Sequence, residues 1–328
     1  MRVMVTGGAG YIGSVVTEAL CDRGDSVVVY DSLVTGHREA VDERAQFVQG
    51  DIRDAALHNV LRDAGIEAIV HMAAISLVGD SVAMPDRYFQ NNVVGGLALL
   101  DAARMSGVKT LVFSSTAAVY GAPDRQPIDE SSSTAPGNPY GSTKLAIEHA
   151  LVGYAAAFGL SSVRLRYFNA AGASLRFGED HRPESHLIPR LLRVACGEEP
   201  EAVVFGTDWP TSDGTAIRDY IHVLDLADAH LRALDASISS PGVSVCYNLG
   251  CGGNGYSVGQ VLASVRKITG VELTVKAMPR RAGDPAVLIA SSEAIRGALG
   301  WVPRRQNLDR IVADAWDWKQ RFPRGYAS

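Results

Sequence analysis

A chain of 328 residues with 47% hydrophobic and 20% charged side chains has the balance of a globular protein of about two domains, which excludes disorder and coiled coil. Lys and Arg number 31 against 36 Asp and Glu, a formal charge of −5, so the chain carries no electrostatic footprint for nucleic acid or an anionic membrane surface. There is no apolar run of about 18 residues to span a bilayer, and the opening MRVMVTGGAG has too short an apolar stretch for a signal peptide, so a cytoplasmic protein is expected.

The elements predicted in chain order begin with a strand at 2–7 (RVMVTG). A helix at 13–23 follows, in which Val15, Val16, Ala19 and Leu20 share one face. Further strands are predicted at 26–31, 46–51, 68–74, 110–115 and 162–168. All are near-continuous apolar runs, as expected of strands buried on both faces of a parallel sheet. Longer helices rich in Leu and Ala fall at 91–106 and 139–158. This alternation predicts an α/β fold with a doubly wound parallel sheet of the Rossmann type over residues 1–170. From 171 to 185 the sequence is Gly-rich, charged and aperiodic, which predicts a loop or hinge. Shorter elements follow: a helix near 187–196, a strand at 203–206, a mixed segment at 218–234, a strand at 246–250, and helices near 257–269 and 307–320. They predict a smaller C-terminal α/β domain over 171–328 that binds substrate, with the segment near 218–234 a candidate to pack back on the first.

The segment TGGAGYIG, residues 6–13, carries the strongest local signal. Gly7, Gly10 and Gly13 follow a strand and open a helix, where a pyrophosphate can rest against backbone N–H groups. Asp31 ends the next strand about 20 residues on, where a carboxylate accepts from ribose hydroxyls and repels a 2′-phosphate; NAD is therefore expected over NADP. A second constellation lies downstream. Tyr140 and Lys144 are i and i+4 on one helix face, and the strand TLVFSST ends in three hydroxyls at Ser114, Ser115 and Thr116. A tyrosine acting as a base near pH 7 needs its pKa of about 10 lowered by about three units, roughly 4 kcal/mol. Lys144 and the cationic nicotinamide ring supply that in principle, and Thr116 would hold the substrate oxygen. Four cysteines (Cys21, Cys196, Cys246, Cys251) without a CxxC fit a reducing compartment. His181 and His186 have no second ligand pair at zinc spacing, so no metal is expected.

Together TGGAGYIG, SST…YGSTK and RDYIHVLDLADAH resemble the extended short-chain dehydrogenase/reductases, and among them the UDP-galactose (UDP-glucose) 4-epimerases, from residue 1 to about 302. YFNAAGA (167–173), FGTDWPTSDGT (205–215) and ALGW (298–301) extend the likeness. The resemblance implies that Tyr140 takes the proton of the sugar 4-hydroxyl while C4 gives hydride to NAD, and that the 4-keto sugar turns its other face before re-reduction. It implies cofactor contacts at Tyr11, Ile12, Ser32, Asp51, Ile52, Met72, Ala73, Ala74, Asn91 and Ser114, with Lys144 on the nicotinamide ribose and Phe168 near the ring. For a UDP-sugar it implies Thr116, Asn169, His186, Leu187, Val203, Val204, Phe205, Arg218, Tyr220, Arg281 and Asp284. The two arginines suit a diphosphate because guanidinium pairs bidentately with phosphate oxygens.

Departures from the family pattern are local. Thr116 stands where Ser is common, Ser76 where many members carry Lys, and His186 where Asn is common. Leu288 falls where the family gates substrate size, between a Tyr that admits plain hexoses only and a small residue that admits 2-acetamido sugars, so UDP-GlcNAc/GalNAc stays open. So do UDP-uronate and UDP-pentose substrates, which differ only in pocket shape. A 4,6-dehydratase needs an acid/base pair after Thr116, where this chain has Ala117 and Ala118. A non-catalytic NAD-sensing protein would not need Thr116, Tyr140 and Lys144 intact. Apolar surface on the helices 91–106 and 139–158 implies a homodimer through those two helices, as family members form.

Overall fold

The computed structural model describes residues 1–123, 125–281 and 284–326. The first half alternates as predicted. Strands β1 (Arg2–Thr6), β2 (Ser26–Asp31), β3 (Gln46–Gln49), β4 (Ala68–His71), β5 (Thr110–Thr116) and β6 (Ser161–Tyr167) are interleaved with helices α1 (Tyr11–Arg23), α2 (Leu57–Asp63), α3 (Val78–Ala83), α4 (Pro85–Tyr88), α5 (Gly95–Ser106) and α6 (Pro139–Phe158). The helix predicted at 91–106 begins with a π-helical turn at Phe89–Val94. Then come β7 (Asn169–Ala171), α7 (Leu187–Ala195), β8 (Ala202–Phe205), β9 (Ile217–Arg218), β10 (Tyr220–His222), α8 (Val223–Ser239), β11 (Ser244–Leu249), β12 (Tyr256–Ser257), α9 (Val258–Thr269), β13 (Val275–Met278), β14 (Val287–Leu288), α10 (Glu293–Leu299) and α11 (Leu308–Arg321).

The central sheet has seven strands in the order β11-β6-β5-β4-β1-β2-β3, and every pairing in it is parallel. The order reverses between β1 and β4, the switch point where open α/β sheets bind ligands beyond their C-terminal strand ends. Two apolar layers cover it. One gathers α1 and α8 side chains with Trp301 and Trp318; the other gathers Leu57, Leu61, Leu99, Leu100, Ile147 and Leu151. Both α8 and β11 come from beyond residue 170 yet belong to this layer, with α8 against α1 and β11 against β6. Residues 218–234 therefore divide into two short strands and a helix instead of one element.

Small pairings make up the rest: β7 with β10, β8 with β13, and β9 between β12 and β14. They rest on a third core from α7, α9 and α11 that includes Ile188, Leu192, Val261, Val265 and Ile311. The C-terminal region is thus a set of short α/β elements with a core of its own.

Candidate active site

The turn after β1 is built for close approach. Gly7 has φ +74°, and a Cβ there would lie 2.6 Å from the backbone N of Ala73, so the turn sits directly on the end of β4. At Gly13 a Cβ would come 2.1 Å from the Gly7 carbonyl oxygen. Helix α1 starts at Gly10 with no side-chain cap, which leaves the first-turn N–H groups of Tyr11 and Ile12 without intrahelical partners. Asp31, 7% exposed at the end of β2, accepts from the backbone N–H of Ala9 at 3.0 Å and of Leu33 at 2.8 Å. Burial raises its pKa, and those two donors oppose the rise. An uncapped helix start with a carboxylate beside it fits a dinucleotide: pyrophosphate on the free N–H groups, ribose on the Asp31 lone pairs.

Other expected cofactor residues border the same edge. Met72 and Ala73 pack against opposite cores, and Ile52 is buried in the second. Across the switch point Thr6 Oγ1 and His71 Nδ1 are 2.8 Å apart; burial first, then Lys144, lowers the His71 pKa to about 3, so this ring is neutral. Ala74 continues the loop from Ala73. Asp51 is clamped by Arg53 at 2.8 and 2.6 Å, and the Ser32 hydroxyl accepts from Val34 N–H at 3.5 Å. Asn91 donates to Asn92, whose amide is fixed by Ile75 and Thr143. Sequence reasoning missed Asn92; two adjacent amides in an apolar helical stretch were the available signal.

A glycine contact brings the reactive groups together. Asn138 caps α6 by accepting from Gly141 N–H at 2.9 Å, with Pro139 at the first helical position, so Tyr140 lies in the first turn and Lys144 one turn on. A Cβ at Gly141 would lie 2.5 Å from the Ala118 carbonyl, so the helix start rests directly on the loop that follows Thr116. Thr116 Oγ1 itself accepts from Ala118 N–H at 3.1 Å. Lys144 is 3% exposed, donates to the Ser114 carbonyl at 2.8 Å, and lies 4.9 Å from the Phe113 ring and 6.0 Å from that of Tyr140. Ser114 Oγ also bonds the Tyr167 hydroxyl. Burial pushes the Tyr140 phenol up to about 12 against a lowering hydrogen bond with Thr116, and pushes Lys144 down to about 7 against the pull of Glu148. In this pocket both groups are biased to their neutral forms. Deprotonating Tyr140 in this pocket would therefore need added positive charge, of the kind a nicotinamide cation would supply.

The substrate candidates divide into two groups. Asn169, Leu187, Val203, Val204, Phe205, Arg218, Tyr220, Arg281 and Asp284 line one 150 Å³ pocket. Arg218 donates to the carbonyls of Ile217 and Pro285 at 2.9 and 3.0 Å and lies 3.7 Å from Asp284, while Arg281 stacks over Phe205 at 3.9 Å. Arg190 and Glu199, paired at 2.9 Å, also line it and were missed; Arg190 stands one helical turn from Leu187. Thr116 belongs to the catalytic group, and Leu288 packs with Phe168 and Leu145 against Val119, Tyr120 and Ile128. His186 is not among the lining residues of this pocket, and its Nδ1 lies 2.6 Å from buried Glu179.

The glycines separate folding from binding. A Cβ at Gly10 meets only the Gly7 carbonyl, at 3.4 Å, an ordinary contact. Gly10→Ala should therefore leave the thermal midpoint of the NAD-free protein unchanged yet weaken NAD by about tenfold or more, since the methyl occupies the phosphate approach. Titration calorimetry with NAD checks this, and undiminished affinity would contradict the placement.

Similarity to known proteins agrees with this geometry. The profile described as NAD dependent epimerase/dehydratase family matches residues 3–250. A curated UDP-glucose 4-epimerase of Corynebacterium glutamicum is 52% identical, covering 96% of this chain and 95% of that protein. A crystal structure of UDP-glucose 4-epimerase superposes with TM-score 0.97 at 48% identity over 100% of both chains. That of the Brucella ovis enzyme, solved in complex with NAD, gives 0.93 at 44% over 96% of this chain and 97% of that one.

Proposed function

This chain belongs to the NAD dependent epimerase/dehydratase family, and on that premise we propose its reaction: the NAD-dependent interconversion of UDP-glucose and UDP-galactose. What supports it is buried Lys144 on the Ser114 carbonyl beside Tyr140 and Thr116, an uncapped helix start after the glycine turn, and a pocket holding Arg218 and Arg281. NAD, held by the turn before α1 and by Asp31, would supply a hydride acceptor and donor for the sugar C4. Tyr140, as phenolate, removes the 4-hydroxyl proton and later gives it back, and Thr116 holds the 4-oxygen. Lys144 would hold the nicotinamide ribose, and its protonated form favours the phenolate. Arg218 and Arg281 grip the diphosphate while the 4-keto sugar turns over. Residues to about 170, with α8 and β11, make the cofactor layer, and the remainder holds the sugar nucleotide.

Incubation with UDP-galactose, and separately with UDP-GalNAc, without added cofactor and followed by NMR, tests this. UDP-glucose forming from the first is the expected result; no turnover even with NAD added would overturn it in favour of a uronate or pentose substrate. Leu288 sits half-buried with Phe168 beside the expected sugar position. Leu288→Tyr should cut UDP-GalNAc turnover relative to UDP-galactose by about tenfold or more, since the added ring fills the space a 2-acetamido group needs. Equal loss for both substrates would show that Leu288 is no gate.

A homodimer through α5 and α6 is supported by Leu97 and Met105 on one helix and Val152 and Phe158 on the other, all exposed at 38–60%. Two chains of 34.9 kDa make about 70 kDa by light scattering at micromolar concentration; about 35 kDa would refute the dimer. No described helix is long and apolar enough to cross a membrane. Four free cysteines fit a reducing cytoplasm.

A further inference from the structure

Between β7 and α7 the chain gathers four side chains that the reaction does not use as acids or bases. Glu179, His181, Glu184 and His186 each offer one ligand atom, and these atoms all lie within 4.8 Å of one another. His181 Nδ1 is 3.1 Å from Glu179 Oε1 and 3.7 Å from Glu184 Oε2. His186 Nδ1 is 2.6 Å from Glu179 Oε1 and 3.3 Å from Glu184 Oε1. Donors at tetrahedral corners about 2.1 Å from a shared ion stand about 3.4 Å apart. His181 Nδ1 already stands near that distance from Glu179 Oε1 and from Glu184 Oε2, while His186 Nδ1 and Glu179 Oε1 have to move apart.

A second observation points into the same space. His181 Nδ1 and Glu184 Oε2 are buried and have no hydrogen-bond partner, and they face each other. Glu184 Oε1 is occupied, accepting from the backbone N–H groups of Ser185 at 2.7 Å and His186 at 2.8 Å, and this aims Oε2 inward. The Glu184 and Glu179 side chains are 1% and 6% exposed, while that of His186 is 44% exposed and opens a path for entry. The loop is held before any ligand arrives: His37 Nε2 bonds the Asp180 carbonyl at 2.9 Å, and Arg193 bonds the His181 carbonyl at 3.3 Å.

We propose that Glu179, His181, Glu184 and His186 bind one divalent transition-metal ion of the zinc type. Two carboxylates balance the dication, and two imidazoles select against magnesium and calcium, which take oxygen ligands. Binding requires both imidazoles neutral, so any proton they carry is released as the ion enters. The ion joins the loop to the start of α7, whose Leu187, Arg190 and Leu191 line the 150 Å³ pocket. It thereby braces one wall of the nucleotide site and takes His186 out of direct substrate contact. The spacing E-x-H-x-x-E-x-H over residues 179–186 was visible in the chain, but only the loop's path makes the carboxylates the missing ligand pair.

The test uses the whole protein, stripped with chelator, dialysed and titrated with zinc chloride. One zinc per chain that survives gel filtration is expected, with a higher thermal midpoint than in EDTA. Cobalt(II) in place of zinc should give the intense visible bands of a four-coordinate N₂O₂ site. His181→Gln and Glu184→Gln should each weaken zinc by about a hundredfold. Less than about a tenth of a zinc per chain after gel filtration, a cobalt spectrum like that of the hydrated ion, or unchanged affinity in both variants overturns the proposal, leaving the four residues as ion pairs only. Should either variant fail to fold in EDTA by circular dichroism, the metal content and cobalt spectrum of the unaltered chain decide.

Discussion

Tyr140→Phe is expected to lower turnover of UDP-galactose by about 10²–10⁴-fold, the range for losing one positioned acid/base group. The fold and the bound NAD should persist, because the ring stays. Phenylalanine keeps the ring beside Lys144 and removes only the hydroxyl. That hydroxyl is held near pKa 12 by burial, with Thr116 pulling it down, and Lys144 is held near 7. The unaltered enzyme should therefore show a rate that rises with pH as the phenol of the NAD-bound form loses its proton, with the inflection well below 12. The variant should lose that rising limb along with kcat, while KM changes little because the diphosphate contacts are untouched. A coupled assay of UDP-glucose formation across pH 6–10 reads both. Retention of more than about a tenth of the activity would remove Tyr140 from the chemistry.

Arg166→Met is expected to destabilise the protein by about 3–5 kcal/mol, the cost of stranding a buried charge. Glu148 has no exposed surface, and its carboxylate accepts from Arg166 Nε at 2.8 Å and Nη2 at 2.5 Å, and from Ser115 Oγ at 2.5 Å. Arg164 stands farther off, at 3.9 Å. The other arm of Arg166 donates to the Tyr120 hydroxyl at 2.8 Å, which donates in turn to Asn248 Oδ1 at 2.7 Å. One substitution thus strands a carboxylate under β5 and strips a partner from a chain of buried bonds linking β6, the loop after β5 and β11. Adding Glu148→Leu to Arg166→Met should recover most of the loss, since an apolar pair needs no solvation. Urea unfolding of the three variants measures this, and a single-variant loss below about 1 kcal/mol would show that water reaches Glu148.

The sheet strands, the turn at 6–13, Asp31 at a strand end, and Tyr140 and Lys144 on one helix face were legible from the chain because their information is local. A strand buried on both faces must be apolar throughout, a phosphate turn must be glycine, and two groups on one helix face must be i and i+4. The Glu148–Arg166 pair was not legible, because a buried charge is explained only by a partner 18 residues away on another element. The contacts of His186 were not legible either: its place in the chain suggests a substrate contact, and the fold also sets its ring against Glu179.

By itself, then, the sequence determined the α/β class, the glycine turn after the first strand and the placing of Tyr140 and Lys144 on one helix face, since periodicity and short spacing survive without knowledge of the fold. Only the tertiary structure decided that β11 completes the first sheet, that α8 covers α1, and that segments near 169, 187, 203, 218 and 281 close one pocket. It alone set Glu179 and Glu184 against His181 and His186. Those arrangements depend on long-range pairing and on burial shared between distant segments, and no local pattern of residues encodes which distant surface a segment will meet.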